Sequence, residues 1–272
     1  MTALEEQEDG ISIVIPAYNE EGGISSSIQN IRKATAAVDY HVEILVVDDG
    51  SQDRTAELAK AEGITVITLP ENQGYGAALK AGIRKSRHET IVIIDADGTY
   101  PAEHIPQLVE LLGSYDMVVG SRTGPNVAAP LMRKLAKWVL RVLAGYLAGR
   151  HIPDLNSGLR VMKKSLIRRF SHLLPSGFSF TTTITLAALC SGSLVKFSPI
   201  DYHARIGKSK IRPTHAFDFT LLIIRTIVYF NPLKIFLPLG ALFFLGGMGK
   251  FIYDLYIGNL SETALLGFIG AA

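Results

Sequence analysis

The chain has 272 residues, enough for one large domain and a smaller segment, and its formal net charge of +2 gives no indication of a nucleic-acid partner. Its single cysteine, Cys190, excludes an internal disulfide bond. Charge is unevenly distributed, because residues 1–60 contain twelve acidic residues against four Lys or Arg, whereas residues 150–212 contain eleven Lys or Arg against two acidic residues. The later segment is therefore predicted to meet an anion.

The chain alternates predicted strands and helices after an acidic, polar amino terminus that shows no cleavable signal peptide. The predicted strands are residues 11–15, 42–47, 65–69, 91–94 and 117–120. The predicted helices are residues 20–38 and 53–62, and a third helix whose last part is residues 80–87. This βαβ alternation predicts an α/β fold with a doubly wound, mostly parallel sheet that binds ligands at the carboxyl ends of its strands. We expect the bulk of the protein to lie in the cytoplasm.

The central predicted strand ends in two carboxylates. Four consecutive β-branched residues, Ile91 to Ile94, suit a strand that is buried on both faces, and Asp95, Asp97 and Gly98 follow it. Strand alternation would point both carboxylates the same way. Two close carboxylates repel each other unless a cation lies between them, and oxygen ligands suit Mg²⁺ or Mn²⁺, which would attract a diphosphate. The alternative is a strand that simply stops at an Asp-Gly turn.

Polar residues also follow the other predicted strands. After the second strand, Asp48 and Asp49 are suited to accept hydrogen bonds from ribose hydroxyls or a base. For Asp49 the alternative is a cap for the next predicted helix, in the segment that ends at Asp53. The segment Asn72-Gln73-Gly74-Tyr75-Gly76 is a poor dinucleotide fingerprint, but its glycines would let the backbone approach a nucleotide; the alternative is a plain loop.

Several motifs together resemble those of one enzyme family, the inverting family 2 glycosyltransferases of the GT-A fold, in both order and spacing. They are Pro16-Ala17-Tyr18-Asn19-Glu20, Val46-Val47-Asp48-Asp49-Gly50-Ser51, Asn72-Gln73-Gly74-Tyr75-Gly76, Asp95-Ala96-Asp97-Gly98 and Gly120-Ser121-Arg122. Two later motifs resemble the branch of dolichol-phosphate mannose synthases and polyprenyl-phosphate glucosyltransferases. They are Asp154-Leu155-Asn156-Ser157-Gly158-Leu159-Arg160 and Arg205-Ile206-Gly207-Lys208-Ser209-Lys210. The resemblance covers residues 11–212 of the chain.

The resemblance implies roles for individual residues. A nucleotide-sugar donor would be bound by Pro16, Ala17, Tyr18, Glu20, Asp48, Gly74, Asp95 and Ala96. The carboxylates that would hold Mg²⁺ or Mn²⁺ on the donor diphosphate are Asp95 and Asp97. The implied catalytic residues are Asp97, Arg122, Arg133, Arg205 and Lys210. The residues implied to bind an acceptor phosphate are Arg205, Lys208, Ser209 and Lys210.

Two positions depart from the family pattern. Mannose synthases commonly have Gln two residues after the second Asp, where this chain has Thr99, so a third protein ligand for the metal is not predicted. Many relatives have an acid after a Gly-Phe-x-Phe element, where this chain continues with three threonines, Thr181 to Thr183. The identity of the sugar is therefore not predicted from those relatives.

A phosphate acceptor also agrees with the charge of residues 150–212. A sugar hydroxyl needs a general base before it can attack, whereas a phosphate monoester with a second pKa near ~6 is already largely dianionic at neutral pH. Such an acceptor needs cations more than it needs a base, and Arg and Lys supply them. The alternative is a solvated basic face.

Three segments predict contact with a membrane. Residues 131–147 form a predicted basic amphipathic helix with Trp138 near its centre, which suits an anionic membrane surface; the alternative is packing into a core. Residues 217–230 are a predicted interfacial helix, and residues 232–257 are long and apolar enough for one transmembrane helix. A second apolar run starts at Thr263, so we expect the sequence to stop inside a longer membrane region.

The predicted domains are a GT-A catalytic domain at residues 1–213, a juxtamembrane amphipathic helix at 214–231 and a transmembrane region at 232–272. The predicted enzyme transfers a sugar from a UDP-glucose-like or GDP-mannose-like donor to polyprenyl or dolichyl phosphate, with inversion and with a metal ion, at the cytoplasmic face of a membrane. Membrane lipids are expected partners, nucleic acid is not, and a homo-oligomer is compatible with the sequence. The alternatives are a processive polysaccharide synthase, although the Gln-x-x-Arg-Trp element of that family is absent, and a non-catalytic nucleotide-sugar-binding subunit.

Overall fold

The computed structural model describes residues 10–123, 142, 144–146, 149–177, 179–203, 224–225 and 228–258. The strands are β1 (Gly10–Ala17), β2 (His41–Asp48), β3 (Thr65–Thr68), β4 (Thr90–Ile93), β5 (Met117–Ser121), β6 (Arg160–Lys163) and β7 (Val195–Pro199). The helices are α1 (Ile24–Ala34), α2 (Thr55–Ala61), α3 (Tyr75–Lys85), α4 (Ile105–Leu112), α5 (Lys164–Phe170), α6 (Phe180–Cys190) and α7 (Leu233–Ile257), with a 3-10 turn at Ala102–His104 before α4.

The seven strands form one sheet in the order β3-β2-β1-β4-β6-β5-β7. Strands β1 to β4 are parallel neighbours, β5 is parallel to β7, and β6 runs antiparallel to both β4 and β5. The carboxyl ends of six strands and the amino end of β6 therefore share one edge of the sheet, which we call the carboxyl edge; the opposite edge is the amino edge. The prediction of a mostly parallel α/β sheet is confirmed.

Helices cover both faces of this sheet. On one face, Ile13 and Ile15 of β1 belong to a buried apolar cluster that includes Ile28 of α1 and Ile105 of α4. On the other face, α3 approaches the sheet at Gly82, where a Cβ atom would lie 2.4 Å from Val14 Cγ1. Burial on both faces explains why the strand sequences are almost continuously apolar.

All five predicted strands are present as β1 to β5. The first helix is shorter than the predicted 20–38, because the amide groups of Gly23 and Ile24 donate to Glu20 O and form a turn before α1. The expectation that strand alternation aligns Asp95 and Asp97 is wrong, because β4 ends at Ile93 and a turn follows. Strands β6 and β7 and helices α4 to α6 were not predicted from the sequence.

The chain forms two compact units, Met1–Ile223 and Ile224–Ala272. The described part of the second unit contains α7, whose 25 residues are long and apolar enough to cross a membrane. Its large apolar side chains are mostly exposed, for example Leu237 at 69% and Leu245 at 67%, so α7 is not the buried core helix of a soluble domain. Lys250 forms an ion pair with Asp254 one turn later, which keeps this stretch neutral overall.

Candidate active site

The loops that follow β1 and β2 are joined by hydrogen bonds at the carboxyl edge. Asn19, which has a φ of 50°, receives a hydrogen bond on its side-chain oxygen from the Gln52 amide (2.8 Å), and its own amide donates to Ser51 Oγ (2.9 Å). The Glu20 amide donates to Thr55 Oγ1 (2.8 Å) at the start of α2. Of the predicted donor residues, Pro16 and Ala17 end β1 and Asp48 ends β2. Tyr18 and Glu20 lie on the loop after β1, which is hydrogen-bonded to the loop after β2.

Asp49 joins this structure to the glycine-rich segment. It is 3% exposed, and its two carboxylate oxygens accept hydrogen bonds from the amides of Gln73 (2.8 Å) and Gly74 (2.9 Å). The capping alternative for Asp49 is wrong, because Asp53 is the residue that accepts from the Thr55 amide (3.0 Å). Asp49 thus holds the loop that precedes α3.

Close packing against another part of the backbone explains the glycines of this segment, independently of the expected approach to a nucleotide. A Cβ atom at Gly74, which has a φ of 99°, would lie 2.7 Å from Ser176 O, and one at Gly76 would lie 2.3 Å from Pro175 O. The Ala77 amide donates to Ser176 O (2.9 Å). The glycines let α3 meet another backbone segment of the chain, and the donor-binding role of Gly74 stays a prediction.

Asp95 lies between α3 and the loop before β6. The Tyr75 hydroxyl, at the first residue of α3, donates to Asp95 Oδ1 (2.9 Å). On the other side, a Cβ atom at Gly158 would lie 2.2 Å from Asp95 Oδ2, so a larger residue there would have to displace the Asp95 carboxylate. Burial raises the pKa of Tyr75 well above its ordinary value, and the charge of Asp95 raises it further. Tyr75 therefore stays a protonated donor.

Asp97 is 5% exposed and is oriented by Thr99. The Thr99 hydroxyl donates to Asp97 Oδ1 (2.6 Å), and the Thr99 amide donates to the same atom (3.1 Å). Ser27 of α1 donates to the carbonyl oxygen of Ala96 (2.7 Å), which fixes the turn between the two aspartates. Thr99 thus supports a predicted metal carboxylate.

The two carboxylates provide hard oxygen donors of the kind that Mg²⁺ and Mn²⁺ prefer. Among the described residues no group of three or more His, Cys, Asp or Glu side chains forms a metal cage. As two hard oxygen donors at the carboxyl edge, Asp95 and Asp97 fit a divalent ion that takes its other ligands from elsewhere.

Arg122 is bound to the loop that precedes β6. It donates from Nε to Asp154 Oδ2 (2.7 Å) and from Nη2 to Asp154 Oδ1 (2.8 Å), and its guanidinium lies 5.3 Å from the centre of the Tyr202 ring. Burial alone would raise the pKa of Asp154, but the hydrogen bonds and charge of Arg122 lower it. Arg122 thus anchors the 154–158 loop, and its predicted contact with the sugar or phosphate stays a prediction.

Arg160 is a fully buried cation below this loop. Its guanidinium donates to Ser157 O, to Thr181 O (3.0 Å) and to Thr185 Oγ1 (3.0 Å), so its partners in the described chain are neutral oxygens. Burial lowers the pKa of Arg160, and nearby Tyr75 and Tyr100 and the carboxylates Asp154 and Asp95 raise it. Arg160 therefore places positive charge near two carboxylates at the carboxyl edge.

The interpretation of residues 150–212 as one cationic site was too broad. Lys163 pairs with Asp116 (2.9 Å) and Arg168 pairs with Glu89 (3.0 Å). The two acidic partners immediately precede β5 and β4, so both ion pairs lie at the amino edge. Lys164 donates to the Ser86 carbonyl there. The antiparallel direction of β6 sends these cations away from the aspartates.

The remaining predicted residues, Arg133, Arg205, Lys208, Ser209 and Lys210, lie outside the described residues. So does most of the predicted amphipathic helix at 131–147, although Val142 and Tyr146 are described, are helical, and are 49% and 65% exposed. His203 is the last described residue before the basic motif, and its amide donates to Thr99 O (3.0 Å). The motif therefore begins two residues after a backbone contact with the Asp97 turn.

Sequence reasoning gave no role to several residues that build this site. Tyr75 lies between two glycines at a helix start, Asp154 is one of only two acids in a basic segment, and Gly158 follows a serine in the same motif. The unusual sequence neighbours of Tyr75 and Asp154 could have indicated a role for these two residues. No sequence pattern identified Arg160 as buried.

Comparison with known proteins identifies the family. Residues 12–172 match the family model described as glycosyl transferase family 2, and this span is more than half of the chain. The chain belongs to glycosyl transferase family 2. The resemblance stated from the motifs and the prediction that this protein is a glycosyltransferase are confirmed. Residues 231–272 of the glycosyltransferase also match a family model described as the GtrB C-terminal hairpin.

Individual relatives of this glycosyltransferase carry informative names. A dolichyl-phosphate hexose transferase of Haloferax volcanii is 32% identical over 207 residues, which are 75% of this chain and 88% of the relative. An undecaprenyl-phosphate 4-deoxy-4-formamido-L-arabinose transferase of Pseudomonas aeruginosa is 40% identical over 187 residues, 63% of this chain and 55% of the relative. This chain thus spans about half of the second relative.

A solved structure shows the same fold. It is glucosyl-3-phosphoglycerate synthase of Mycobacterium tuberculosis in complex with Mn²⁺, UDP-glucose and phosphoglyceric acid, with a TM-score of 0.63, 23% identity and coverage of 80% of each chain. At this identity the likeness concerns the fold alone, and the predicted GT-A class is confirmed.

Substitution of Gly158 tests the crowding at Asp95. In this glycosyltransferase, Gly158→Ala is expected to lower turnover about tenfold, because the new Cβ must displace the Asp95 carboxylate or its own loop. Gly113→Ala is the matched control, since a Cβ there would meet Glu110 O at an ordinary 3.5 Å. Turnover of both purified variants measures the effect, and equal turnover would show that Asp95 tolerates the displacement.

Proposed function

We propose that this glycosyltransferase moves a sugar from a nucleotide-diphosphate sugar, UDP-glucose-like or GDP-mannose-like, to polyprenyl or dolichyl phosphate, with inversion of the anomeric centre. The observation that carries the proposal is the continuous hydrogen-bonded carboxyl edge. It runs from the Asp49 loop through Tyr75 to Asp95, and the Thr99 turn beside it contacts His203, just before the basic motif. The relatives named as dolichyl-phosphate and undecaprenyl-phosphate transferases support the acceptor class.

The donor half of the reaction belongs to the loops after β1 and β2. Residues 16–20, at the end of β1 and in the loop after it, and the buried Asp48 at the end of β2 would hold the base and ribose. Hydrogen bonds between the loops after β1 and β2 already fix these segments without a ligand. Asp48 Oδ1 accepts a hydrogen bond from the Ser51 amide (3.2 Å), which orients its carboxylate. Such preorganisation reduces the entropy that donor binding must lose.

The metal half belongs to Asp95 and Asp97. Mg²⁺ or Mn²⁺ bound by these carboxylates supplies positive charge that offsets the charge developing on the departing diphosphate. Tyr75 and Thr99 hold one oxygen of each carboxylate, at 2.9 and 2.6 Å respectively. The structure of the Mycobacterium tuberculosis relative in complex with Mn²⁺ and UDP-glucose supports the use of a divalent ion in this fold.

The acceptor half would use the basic motif, in which Arg205, Lys208, Ser209 and Lys210 bind phosphate. A phosphate monoester attacks as a dianion, so this part of the site needs charge and orientation and no general base. The cations described at the amino edge are paired with Asp116 and Glu89, which leaves the motif after His203 as the best candidate for the phosphate. Arg133 would assist from the segment that follows Arg122.

The membrane half would use α7 as an anchor. Its 25 residues span about 37 Å at the helical rise, more than the hydrocarbon core of a bilayer, and its apolar side chains are exposed. The exposed Val142 and Tyr146 suit contact of the catalytic unit with the lipid interface. A polyprenyl phosphate is itself held in the membrane, so an anchored enzyme meets it in two dimensions.

We expect the catalytic domain to face the cytoplasm, because Arg225 precedes α7, Lys234 lies in its first turn, and positive charge favours the inner side. Protease treatment of sealed vesicles of known orientation measures this. Cleavage of residues 11–212 is expected when the protease is on the cytoplasmic side. Protection on that side, with cleavage from the other, would reverse the orientation.

One experiment tests the function directly. The full chain in detergent is offered labelled UDP-sugars and GDP-sugars together with a short polyprenyl phosphate, and label that enters the organic phase is measured. The proposal predicts one preferred donor and a product that depends on a divalent ion. Long water-soluble polymer would indicate a processive synthase, and absence of transfer from every donor would indicate a nucleotide-sugar-binding subunit.

A further inference from the structure

We propose that Tyr75 is a positioning residue for Asp95 and that Asp49 sets the position of Tyr75. The loop beside the nucleotide and the carboxylate beside the metal would then be mechanically linked through the first turn of α3. This inference rests on the function proposed above, because it assigns a metal to Asp95. It concerns two residues for which the motifs implied no role of this kind.

The first link is the contact between Asp49 and the start of α3. Two consecutive amides, of Gln73 and Gly74, donate to the two oxygens of this one buried carboxylate at 2.8 and 2.9 Å. Charge-assisted hydrogen bonds of this kind are short and strong, and an anion at a helix amino terminus is favoured by the helix dipole. The residue immediately after these two amides is Tyr75, so Asp49 fixes the backbone from which Tyr75 projects.

A second contact holds the same turn from the opposite side. Gly74 and Gly76 allow the backbone of residues 175–176 to approach so closely that no Cβ fits at either glycine. Lys80 also reaches this segment, with Nζ donating to Leu174 O (3.0 Å) and to Ser176 Oγ (3.2 Å). The first turn of α3 is therefore held from two sides, so the backbone of Tyr75 has little freedom to move.

The last link is the contact of Tyr75 with the carboxylate. Its hydroxyl donates to Asp95 Oδ1 at 2.9 Å, while Gly158 lies against Asp95 Oδ2. Gly158 is itself held, because its amide donates to the Tyr100 hydroxyl (2.6 Å). The carboxylate thus lies between a fixed donor and a fixed backbone, which restricts its rotation before an ion binds.

Restricting a ligand carboxylate has a measurable consequence for metal affinity. Groups that orient metal ligands typically change affinity or activity by roughly 10- to 100-fold when they are removed. Tyr75→Phe removes the donor and keeps the ring, so we expect Mn²⁺ to bind about tenfold more weakly and kcat to fall by a similar factor. The KM for the polyprenyl phosphate is expected to stay unchanged, because Tyr75 is not assigned to the acceptor.

The chain offers a matched control in Tyr40, whose hydroxyl is buried and has no hydrogen-bond partner among the described residues. Tyr40→Phe removes the same atom from another buried site, so its Mn²⁺ affinity and kcat are expected to equal those of the wild type. Both variants keep their aromatic packing, and thermal unfolding measured by circular dichroism checks that each is folded. A tenfold loss confined to Tyr75→Phe is the expected result.

Calorimetric titration of the full chain in detergent with Mn²⁺, in the presence of UDP or GDP, measures the affinity. A wild-type protein that binds neither nucleotide nor Mn²⁺ overturns both proposals. A wild type that binds Mn²⁺ with nucleotide, beside a Tyr75→Phe variant of equal affinity, overturns the positioning role alone and leaves the proposed function standing.

The link from Asp49 is tested by a double-mutant cycle. Asp49→Asn keeps the shape and one acceptor oxygen but loses the second acceptor and the charge, so it is expected to weaken Mn²⁺ binding through Tyr75. In the double variant with Tyr75→Phe the two losses are expected to be less than additive, because they act through one contact. Fully additive losses would show that Asp49 acts independently and would overturn the link.

Discussion

Asp97→Asn is expected to reduce sugar transfer roughly 10³-fold, which corresponds to about 4 kcal/mol of transition-state stabilisation. The side chain is 5% exposed, and Asn can still accept both hydrogen bonds from Thr99 through its Oδ1 atom. The substitution therefore keeps the shape of the turn and removes one negative charge. A divalent ion held by Asp95 and Asp97 would lose one of its negatively charged ligands, and with it the positive charge that it would supply to the departing diphosphate would be held less tightly.

The measurement pairs turnover with calorimetry, in which donor and Mn²⁺ are titrated together. Asp95→Asn is also expected to be severe, since the same ion would lose its other carboxylate. Asp116→Asn is the matched control, because Asp116 pairs with Lys163 at the amino edge. Unchanged donor affinity together with unchanged turnover in Asp97→Asn would remove the metal assignment.

The sequence was sufficient to predict the first five strands and the loops that carry the donor and metal residues. Apolar runs such as Ile91 to Ile94 are buried on both faces, and a carboxylate after such a run is stable only at the end of a strand. The predicted ends of the second and fourth strands therefore placed Asp48 and Asp95 at the correct edge of the sheet. These residues lie at the carboxyl edge because the strands are parallel.

Other parts depended on contacts between distant residues. The four residues of β6 give no periodic pattern, and its reversed direction separates Arg160 at the carboxyl edge from Lys163 at the amino edge. A count of Lys and Arg along the chain cannot reveal this separation. In the same way, the glycines of the 72–76 segment looked suited to a nucleotide, whereas their immediate neighbour is the backbone of residues 175–176. Both features depend on the partner of a residue rather than on its own conformation.

The basic motif gives the second large prediction, which separates a catalytic role from general attraction to a membrane. Arg205→Ala and Lys210→Ala are each expected to cut turnover by roughly 10²-fold, because a charge positioned at the reacting phosphates counts most as the attacking oxygen and the departing diphosphate exchange charge. A charge that acted only on anionic lipid would contribute on the order of 1 kcal/mol and would be screened by salt. Lys208 is expected to contribute least of the three cations.

The test uses detergent micelles with a neutral lipid background, where attraction to anionic lipid is absent. Lys196→Ala is the matched control, because Lys196 is an exposed cation on the edge strand β7 and belongs to the same basic segment. Folding and membrane extraction are expected to be unchanged in all variants, whereas turnover should fall only in Arg205→Ala and Lys210→Ala. If both substitutions merely raise the acceptor KM a few-fold, and added salt has the same effect on the unmodified enzyme, the motif attracts the membrane surface and has no catalytic role.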